Sequence, residues 1–204
     1  MIVHDVVQGS QDWLGLRAGR FTATEASAIK TAGQGLETAA VEKAVYRITG
    51  VVPETFETPA MRWGKEYEAQ AREAYQKTIW QEVKTVGFCE LNEYVGCSPD
   101  GLVGDDGLCE IKCKQEKGHL LTVIKDEIDP KHYWQMQFQM FVTGRDWCDY
   151  VCYNPFFVKP PYVKPLYVKR VERNEKDIAQ LAIGLDKGCK LIEQYMQQYK
   201  ERCI

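Results

Sequence analysis

The stretch CSPDGLVGDDGLCEIKCK, residues 97–114, decides the fold class because it predicts two short strands joined by a tight turn. In its second half apolar and charged residues alternate, which predicts a strand with one apolar face and one charged face. The charged face carries Glu110 and Lys112, and Asp100 precedes them on the partner strand. A solvated strand face and a metal site both remain open as interpretations of this pattern.

The turn between the strands decides whether Asp100 faces Glu110 and Lys112. A two-residue loop at 106–107 turns Asp100 away from both of them. A three-residue loop at 105–107 places Asp100 opposite Lys112 and brings all three side chains to one face, within reach of one ion. We expect the three-residue loop, or a bulge that gives the same facing.

Two carboxylates beside a lysine suit a hard divalent cation such as Mg²⁺, which prefers oxygen ligands. Such a cation activates water and neutralises charge that grows on a phosphodiester, and Lys112 can orient that water without being a ligand. However, Glu-x-Lys is a common pattern, and Glu82-Val83-Lys84 also matches it without a Pro-Asp on a neighbouring strand. Spacing alone therefore leaves the solvated face as the open alternative.

Composition places limits on the class of protein. The chain has 204 residues, 45% hydrophobic and 27% charged, which fits a single domain over 1–204 with a substantial core. It contains no apolar run of the roughly 18 residues that a membrane span needs, and its N-terminus lacks signal-peptide features, so we expect a cytoplasmic protein. The net charge of −3 argues against a nucleic-acid coating protein, although not against an enzyme with a basic groove.

Eight cysteines lack any C-x-x-C spacing. We interpret them as reduced core residues, because free cysteine packs as a small hydrophobe. The alternative is a cysteine-metal or redox protein, which predicts stoichiometric zinc or a visible iron–sulfur absorbance.

Helical spacing comes first along the chain, and strands mixed with helices follow, which predicts an α/β fold with a mixed sheet. The predicted strands are 85–91, 94–98, 108–114, 147–153 and 166–172. The predicted helices are 12–16, 22–31, 37–49, 60–77, 118–126, 131–143 and a final helix capped by Asn174.

SPDGL at 98–102 and EIKC at 110–113 resemble the catalytic hairpin of the PD-(D/E)XK nucleases. The chain more closely resembles the phage lambda exonuclease-like branch, the viral recombinase or alkaline exonuclease family. Three further blocks follow the order of that family: WLGLRAGRFTATE at 13–25, WGKEYE at 63–68 and QMQFQMF at 135–141. The resemblance implies a restriction-endonuclease-like core, with a central mixed β-sheet flanked by α-helices.

The resemblance also implies roles by motif position. The implied metal ligands are the carboxylates of Asp100, Glu110 and Glu68 and the backbone carbonyl of Ile111. Lys112 is implied as the catalytic lysine, and Gln137 resembles the glutamine that the family places beside the active site. The residues implied for the 5′-phosphate and the DNA are Arg17, Thr24, Ser98 and Gln135.

Several of these residues have a purely structural interpretation as well. Glu68 can pair with Arg72 one helical turn on. Gln135 and Gln139 can form the solvated side of their helix. Thr24 stands where relatives often have serine, so it keeps the hydroxyl and adds a methyl group.

Residues 154–173 combine prolines with interleaved basic and aromatic side chains. Basic and aromatic residues together suit phosphate contact and base stacking. Proline and lysine also protect an edge strand. The composition leaves a DNA-facing loop and a subunit contact as equal alternatives.

The resemblance implies a Mg²⁺-dependent exodeoxyribonuclease, with Mn²⁺ as a substitute that the same oxygen ligands accept. It implies digestion of the 5′-ended strand of linear double-stranded DNA to mononucleotides, which leaves 3′ single strands for recombination. It further implies a ring-shaped homotrimer and a single-strand-annealing protein as partner. The alternatives are an endonuclease of the same superfamily and a catalytically inactive DNA-end-binding protein.

Overall fold

The computed structural model describes residues 1–53 and 56–203, which contain seven α-helices and eight β-strands. The helices are α1 (Gln11–Ala18), α2 (Ala26–Thr31), α3 (Gln34–Thr49), α4 (Pro59–Ile79), α5 (Glu116–Lys125), α6 (Pro130–Thr143) and α7 (Glu175–Glu201). The strands are β1 (Ile2–His4), β2 (Val83–Lys84), β3 (Phe88–Asn92), β4 (Val95–Cys97), β5 (Gly101–Val103), β6 (Gly107–Cys113), β7 (Trp147–Tyr153) and β8 (Leu166–Glu172). Among these described helices, none has the length and apolar character that crossing a bilayer requires.

The central sheet is mixed, with five strands in the order β2-β5-β6-β7-β8. Strands β6 and β7 run parallel, and the other neighbours are antiparallel. Helix α4 covers one face of this sheet, while α2, α3, α6 and α7 share a second hydrophobic cluster with the other face. Strands β1, β3 and β4 form a separate antiparallel sheet. The predicted α/β fold with a helix-flanked mixed sheet is confirmed.

The hairpin of β5 and β6 has a three-residue loop, but the loop lies one residue earlier than predicted. Val103 pairs with Gly107, which leaves 104–106 as the loop. Gly104 is the residue in the left-handed region, with φ of 53°. Gly107 serves a different purpose, since a Cβ there would lie 2.1 Å from the indole of Trp147. The predicted register was therefore wrong by two residues.

The facing predicted for the charged residues is nevertheless correct. A shift of two residues keeps every side chain on its face, because side chains alternate along a strand. Asp100 precedes β5 directly, and continuing the pairing of Gly101 with Cys109 places it opposite Glu110 rather than Lys112. The hairpin thus brings the two carboxylates closer than the predicted register did.

Each predicted helix is present, with ends that differ by a few residues, and β7 and β8 have the predicted bounds. The predicted strand 85–91 corresponds to β3 but was wrong at its start, because residues 85–87 form the connection between β2 and β3, which belong to different sheets. The break lies at Gly87, where a Cβ would sit 2.1 Å from the carbonyl oxygen of Val6. Position 87 therefore needs glycine, because the segment that follows β1 passes close to it. Strand β1 was not predicted from the sequence.

All eight cysteines are unpaired, and five of them are buried. Cys109 packs in the cluster under α4, whereas Cys148 and Cys152 pack in the cluster on the opposite face. These side chains fill the core as the sequence analysis expected.

The contact between α2 and α7 gives a stability prediction. A Cβ at Gly184 would lie 2.0 Å from the carbonyl oxygen of Ile29, so Gly184→Ala must push the two helices apart. We expect a loss of about 3 kcal/mol in the free energy of unfolding, measured by urea denaturation. Gly64→Ala is the matched control: no atom lies within 4 Å of its Cβ in the interior of α4, so we expect a gain of about 0.5–1 kcal/mol. Equal effects of the two substitutions would contradict the close packing of α2 and α7.

Candidate active site

Three polar side chains of the β5–β6 hairpin are held in fixed positions. Glu110 lies in the middle of β6 with its side chain 1% exposed. One carboxylate oxygen pairs with the Lys112 ammonium, and the other accepts a hydrogen bond from Gln139 Nε2 at 2.6 Å. Asp100 Oδ2 accepts a hydrogen bond from the backbone N–H of Ile111 at 2.6 Å. The hairpin therefore presents two oriented carboxylates and one ammonium group.

The buried charges in this cluster shift each other's protonation. Burial raises the pKa of Asp100 to about 8, and the negative charge of Glu110 adds to this effect. Burial alone would lower the pKa of Lys112, but the charges of Glu110 and Asp100 outweigh it and raise that pKa above its usual value. The site thus carries a permanent ammonium, and once Asp100 loses its proton the site holds more negative charge than that ammonium neutralises, which is the electrostatic setting that attracts a cation.

Glu68 pairs with Arg72 and also lies near the carboxylates of the hairpin, so its two predicted interpretations are compatible with each other. It forms an ion pair with Arg72 one turn along α4, as the structural interpretation predicted. Its negative charge also raises the pKa values of Asp100 and Lys112, so Glu68 lies within electrostatic reach of the hairpin. The Nε of Arg72 is buried with no hydrogen-bond partner among the described residues.

The donor set of the hairpin fits a magnesium-type ion. Within residues 1–53 and 56–203, no three His, Cys, Asp or Glu side chains come close enough together to hold a metal. However, Mg²⁺ in proteins is usually bound through one or two carboxylates and keeps several waters. Asp100 and Glu110, with the carbonyl of Ile111 between the two charged residues of β6, supply this limited set. Glu68 is a third carboxylate nearby and not part of a preformed cluster.

The structure places Gln139, and not Gln137, against the carboxylates. Gln137 is buried on another side of α6, where it donates to the carbonyl of Glu172 and accepts from the N–H of Asn174. Residues two apart on a helix point in different directions, whereas Gln135 and Gln139 share a side. These contacts therefore place Gln137 away from the carboxylates, unlike the predicted position beside the active site. The interpretation of Gln139 as a solvated residue is also wrong, since Gln139 is fully buried.

Arg17, Thr24 and Ser98 lie in one connected cluster. The Arg17 guanidinium stacks on Trp13, 4.3 Å from the ring centroid, and donates to Thr22 Oγ1 at 3.3 Å. The Thr22 hydroxyl lies 2.9 Å from that of Thr24, and Trp13 Nε1 donates to Ser98 Oγ at 2.8 Å. Trp13, to which the sequence analysis gave no role, links the predicted residues.

This cluster lies next to the hairpin. Burial raises the pKa of the Cys97 thiol, and both Arg17 and Glu110 are close enough to shift that pKa as well. Ser98 also stands two residues before Asp100, in the connection between β4 and β5. Burial lowers the pKa of Arg17 while Glu25 opposes that effect, so this guanidinium is a partly desolvated cation suited to an anionic ligand.

Most basic residues at the end of the 154–173 segment are engaged within the chain. Three of them form ion pairs: Lys169 with Asp126, Arg170 with Asp149, and Arg173 with Glu175. The aromatic residues of the loop differ from one another, since Phe157 packs on His119 whereas Phe156 and Tyr162 are exposed. For the loop before β8, contact with DNA and contact with another subunit both remain open as interpretations. The basic residues of β8 itself are better explained by their ion pairs within the chain.

The mixed sheet, the carboxylate–lysine hairpin and the similarity to an alkaline exonuclease together place the protein among the nucleases. Residues 12–146 match the model of the YqaJ-like viral recombinase domain, and the chain belongs to this family. The structure is similar to that of an alkaline exonuclease, LHK-Exo, from Laribacter hongkongensis, with 31% identity and a TM-score of 0.85 over 95% of this chain and 98% of that chain. The same values hold for LHK-Exo in complex with dAMP.

A phage-related exonuclease from Haemophilus somnus 129PT has the same fold at 16% identity, with a TM-score of 0.68 over 91% of this chain and 99% of that chain. No match to the sequence was found among the curated proteins.

Proposed function

We propose that the protein is a Mg²⁺-dependent exodeoxyribonuclease that digests the 5′-ended strand of linear double-stranded DNA in the 5′ to 3′ direction. The observation that carries this proposal is the placement of Asp100, Glu110 and Lys112 on one face of the hairpin, next to the Arg17 cluster. An ion held by the two carboxylates would supply the positive charge that activates water and stabilises the transition state of phosphodiester hydrolysis, and Mn²⁺ fits the same ligands.

The chain's own residues supply positioning and charge. Lys112 stays protonated because Glu110 and Asp100 raise its pKa, so it acts as a hydrogen-bond donor to a phosphate oxygen and not as a general base. Gln139 holds Glu110 in its orientation through the 2.6 Å hydrogen bond. Arg17 binds the terminal 5′-phosphate, and Thr24 and Ser98 contribute hydroxyls.

We further propose the assembly that the family resemblance implies, a homotrimeric ring around the DNA in the cytoplasm with a single-strand-annealing protein as partner. A ring accounts for DNA binding by a chain of net charge −3, because a channel can gather basic residues that the outer surface lacks. The product is a 3′ single strand for recombination together with mononucleotides. The dAMP bound by the Laribacter hongkongensis relative is a nucleotide of that type.

Digestion of a linear duplex labelled separately at each end tests this function. We expect early release of the 5′ label with Mg²⁺ or Mn²⁺, no release with chelator, and no cutting of a closed circular duplex. Cutting of the circle would support an endonuclease instead. DNA that binds but stays intact with every metal would support an inactive end-binding protein.

Arg17→Ala tests the 5′-phosphate contact. We expect the wild-type protein to digest a 5′-phosphorylated end faster than a 5′-hydroxyl end, and we expect Arg17→Ala to slow the phosphorylated substrate by about 10- to 100-fold, because one charge-assisted contact is lost. The hydroxyl substrate should be slowed much less. Lys190→Ala, which removes an exposed cation on α7, is the control and should preserve the wild-type ratio. A variant that slows both ends equally would contradict this role.

A further inference from the structure

A cavity of about 480 Å³ lies beside the end of β6, between the first turns of α4 and α5. Its lining includes Trp63, Cys113, Lys114, Lys117 and Leu121, and none of the proposed catalytic residues lines it. Cys113 and Lys114 follow Lys112 directly, so the cavity adjoins the candidate active site along the strand. Its volume is in the range of sites that bind small organic groups.

One wall of the cavity is formed by the indole of Trp63, which packs against two further aromatic rings. The ring of Trp63 lies 4.5 Å from that of Tyr67 and 6.0 Å from that of Phe156, measured between centroids. Phe156 belongs to the 154–173 segment and is more than half exposed, so this part of the segment packs against Trp63 but lies outside the cavity lining. Trp63 Nε1 is buried and has no hydrogen-bond partner among the described residues. The indole N–H is therefore closed to solvent, which leaves the ring of this half-buried side chain as the part that a ligand in the cavity can contact.

The rim of the cavity is cationic. Lys117 is an exposed residue in the first turn of α5, and Lys114 Nζ is held at 2.9 Å from Thr122 Oγ1. The N-cap of α5, Gln115, makes no side-chain capping hydrogen bond, so amide groups of the first turn remain directed outward. Such a helix start next to lysines suits a phosphate group. Glu116 adds one carboxylate to the same turn, which favours a single phosphate over a highly charged ligand.

We propose that this cavity binds an unpaired nucleobase of the DNA strand, stacked on Trp63, with the adjoining phosphate at Lys117 and the start of α5. The inference rests on the proposed function, since it assigns a second DNA subsite to the same active site. An accessible aromatic ring beside a cationic rim is the combination that binds single-stranded nucleic acid without reading its sequence. The Arg17 cluster adjoins the carboxylates on the side of Ser98, whereas the cavity adjoins them at the end of β6. The two subsites therefore hold different parts of one strand.

Binding measured in chelator tests the subsite without hydrolysis. The probes are 5′-phosphorylated duplexes with a short unpaired 5′ end, each carrying one abasic nucleotide at a different position of that end. With the wild-type protein we expect one position at which the missing base raises Kd by about tenfold, as loss of one stacked base does. With Trp63→Ala we expect this penalty to vanish, since the two changes remove the same contact. Trp80→Ala, at a side chain 92% exposed elsewhere, should keep the penalty.

Lys117→Met gives an independent measurement at an exposed position where folding is not at risk. We expect the slope of log Kd against log salt to fall by about one for the intact probe. A penalty at the same position in wild-type and Trp63→Ala, together with an unchanged slope in Lys117→Met, would overturn the subsite. Competition by a deoxynucleoside monophosphate that removes the Trp63 dependence would assign the cavity to a released nucleotide and also overturn it. Failure of the wild-type protein to bind any DNA probe would instead contradict the proposed function itself.

Discussion

Lys112→Met is expected to abolish digestion of linear DNA, with a fall of about a thousandfold in the rate of nucleotide release. The methionine keeps the length of the side chain and removes the ammonium that pairs with Glu110 and faces Asp100. Loss of one preorganised donor that stabilises transition-state charge costs a factor of this order, about 4 kcal/mol in the activation free energy. Initial rates with saturating Mg²⁺ measure the effect, and DNA binding in chelator should remain.

The chain contains a matched control for this variant. Lys84 belongs to the second Glu-x-Lys sequence, Glu82-Val83-Lys84, and lies exposed on the edge strand β2. Lys84→Met should therefore leave the rate unchanged, although it makes the same chemical change in the same local pattern. Equal rates for Lys112→Met and the wild-type protein would remove the hairpin from the mechanism. Equal losses in both variants would point to a general effect of charge on DNA binding.

The facing of the hairpin could be predicted from sequence because it depends on local rules. Alternation within β6 and an odd number of loop residues are sufficient to put Asp100, Glu110 and Lys112 on one face. The register could not be predicted, since Gly104 and Gly107 are both able to take the left-handed position. Packing of Trp147 against Gly107 settles the choice, and Trp147 lies on a strand about 40 residues later.

The glutamine at the site shows a different limit. Helix α6 carries glutamine at three alternate positions, and its spacing predicts a helix without indicating which side meets the sheet. Gln139 faces Glu110 because α6 packs over β4, β7 and the second hydrophobic cluster, an arrangement of distant segments. The final helix shows the reverse case, since its Asn174 cap accepts from Lys176 and Asp177 within three residues and was predicted from sequence.

The same limit explains the strand that the sequence analysis missed. Strand β1 has three residues and pairs with β3, and each residue of β1 lies more than eighty positions from its partner in the chain. Three residues carry too little alternation to predict a strand, so only the tertiary pairing defines β1.

Asp100→Asn is expected to remove activity and, in chelator at pH 8, to stabilise the protein. Folded Asp100 keeps its proton up to a pKa of about 8, whereas the unfolded chain releases it near pH 4. The unfolded state therefore binds fewer protons between these values, and the stability of the wild-type protein falls as the pH rises from 4 to 8. Asparagine is neutral and still accepts from the N–H of Ile111, so the variant should be about 1–3 kcal/mol more stable at pH 8 and similar at pH 4.

With Mg²⁺ at pH 8, the wild-type protein should become more stable than Asp100→Asn. An ion bound through Asp100 stabilises the folded wild-type protein by about 2.7 kcal/mol at a hundred times its Kd, and the asparagine variant should gain little. Urea unfolding at pH 4, 6 and 8, with chelator and then with Mg²⁺, measures both effects. Asp105→Asn, in the exposed 104–106 loop, is the control and should follow the wild-type protein throughout. A site that holds excess negative charge destabilises the folded protein until a cation neutralises that charge. A wild-type protein whose stability is independent of pH and of Mg²⁺ would therefore argue against a buried carboxylate pair that binds a cation.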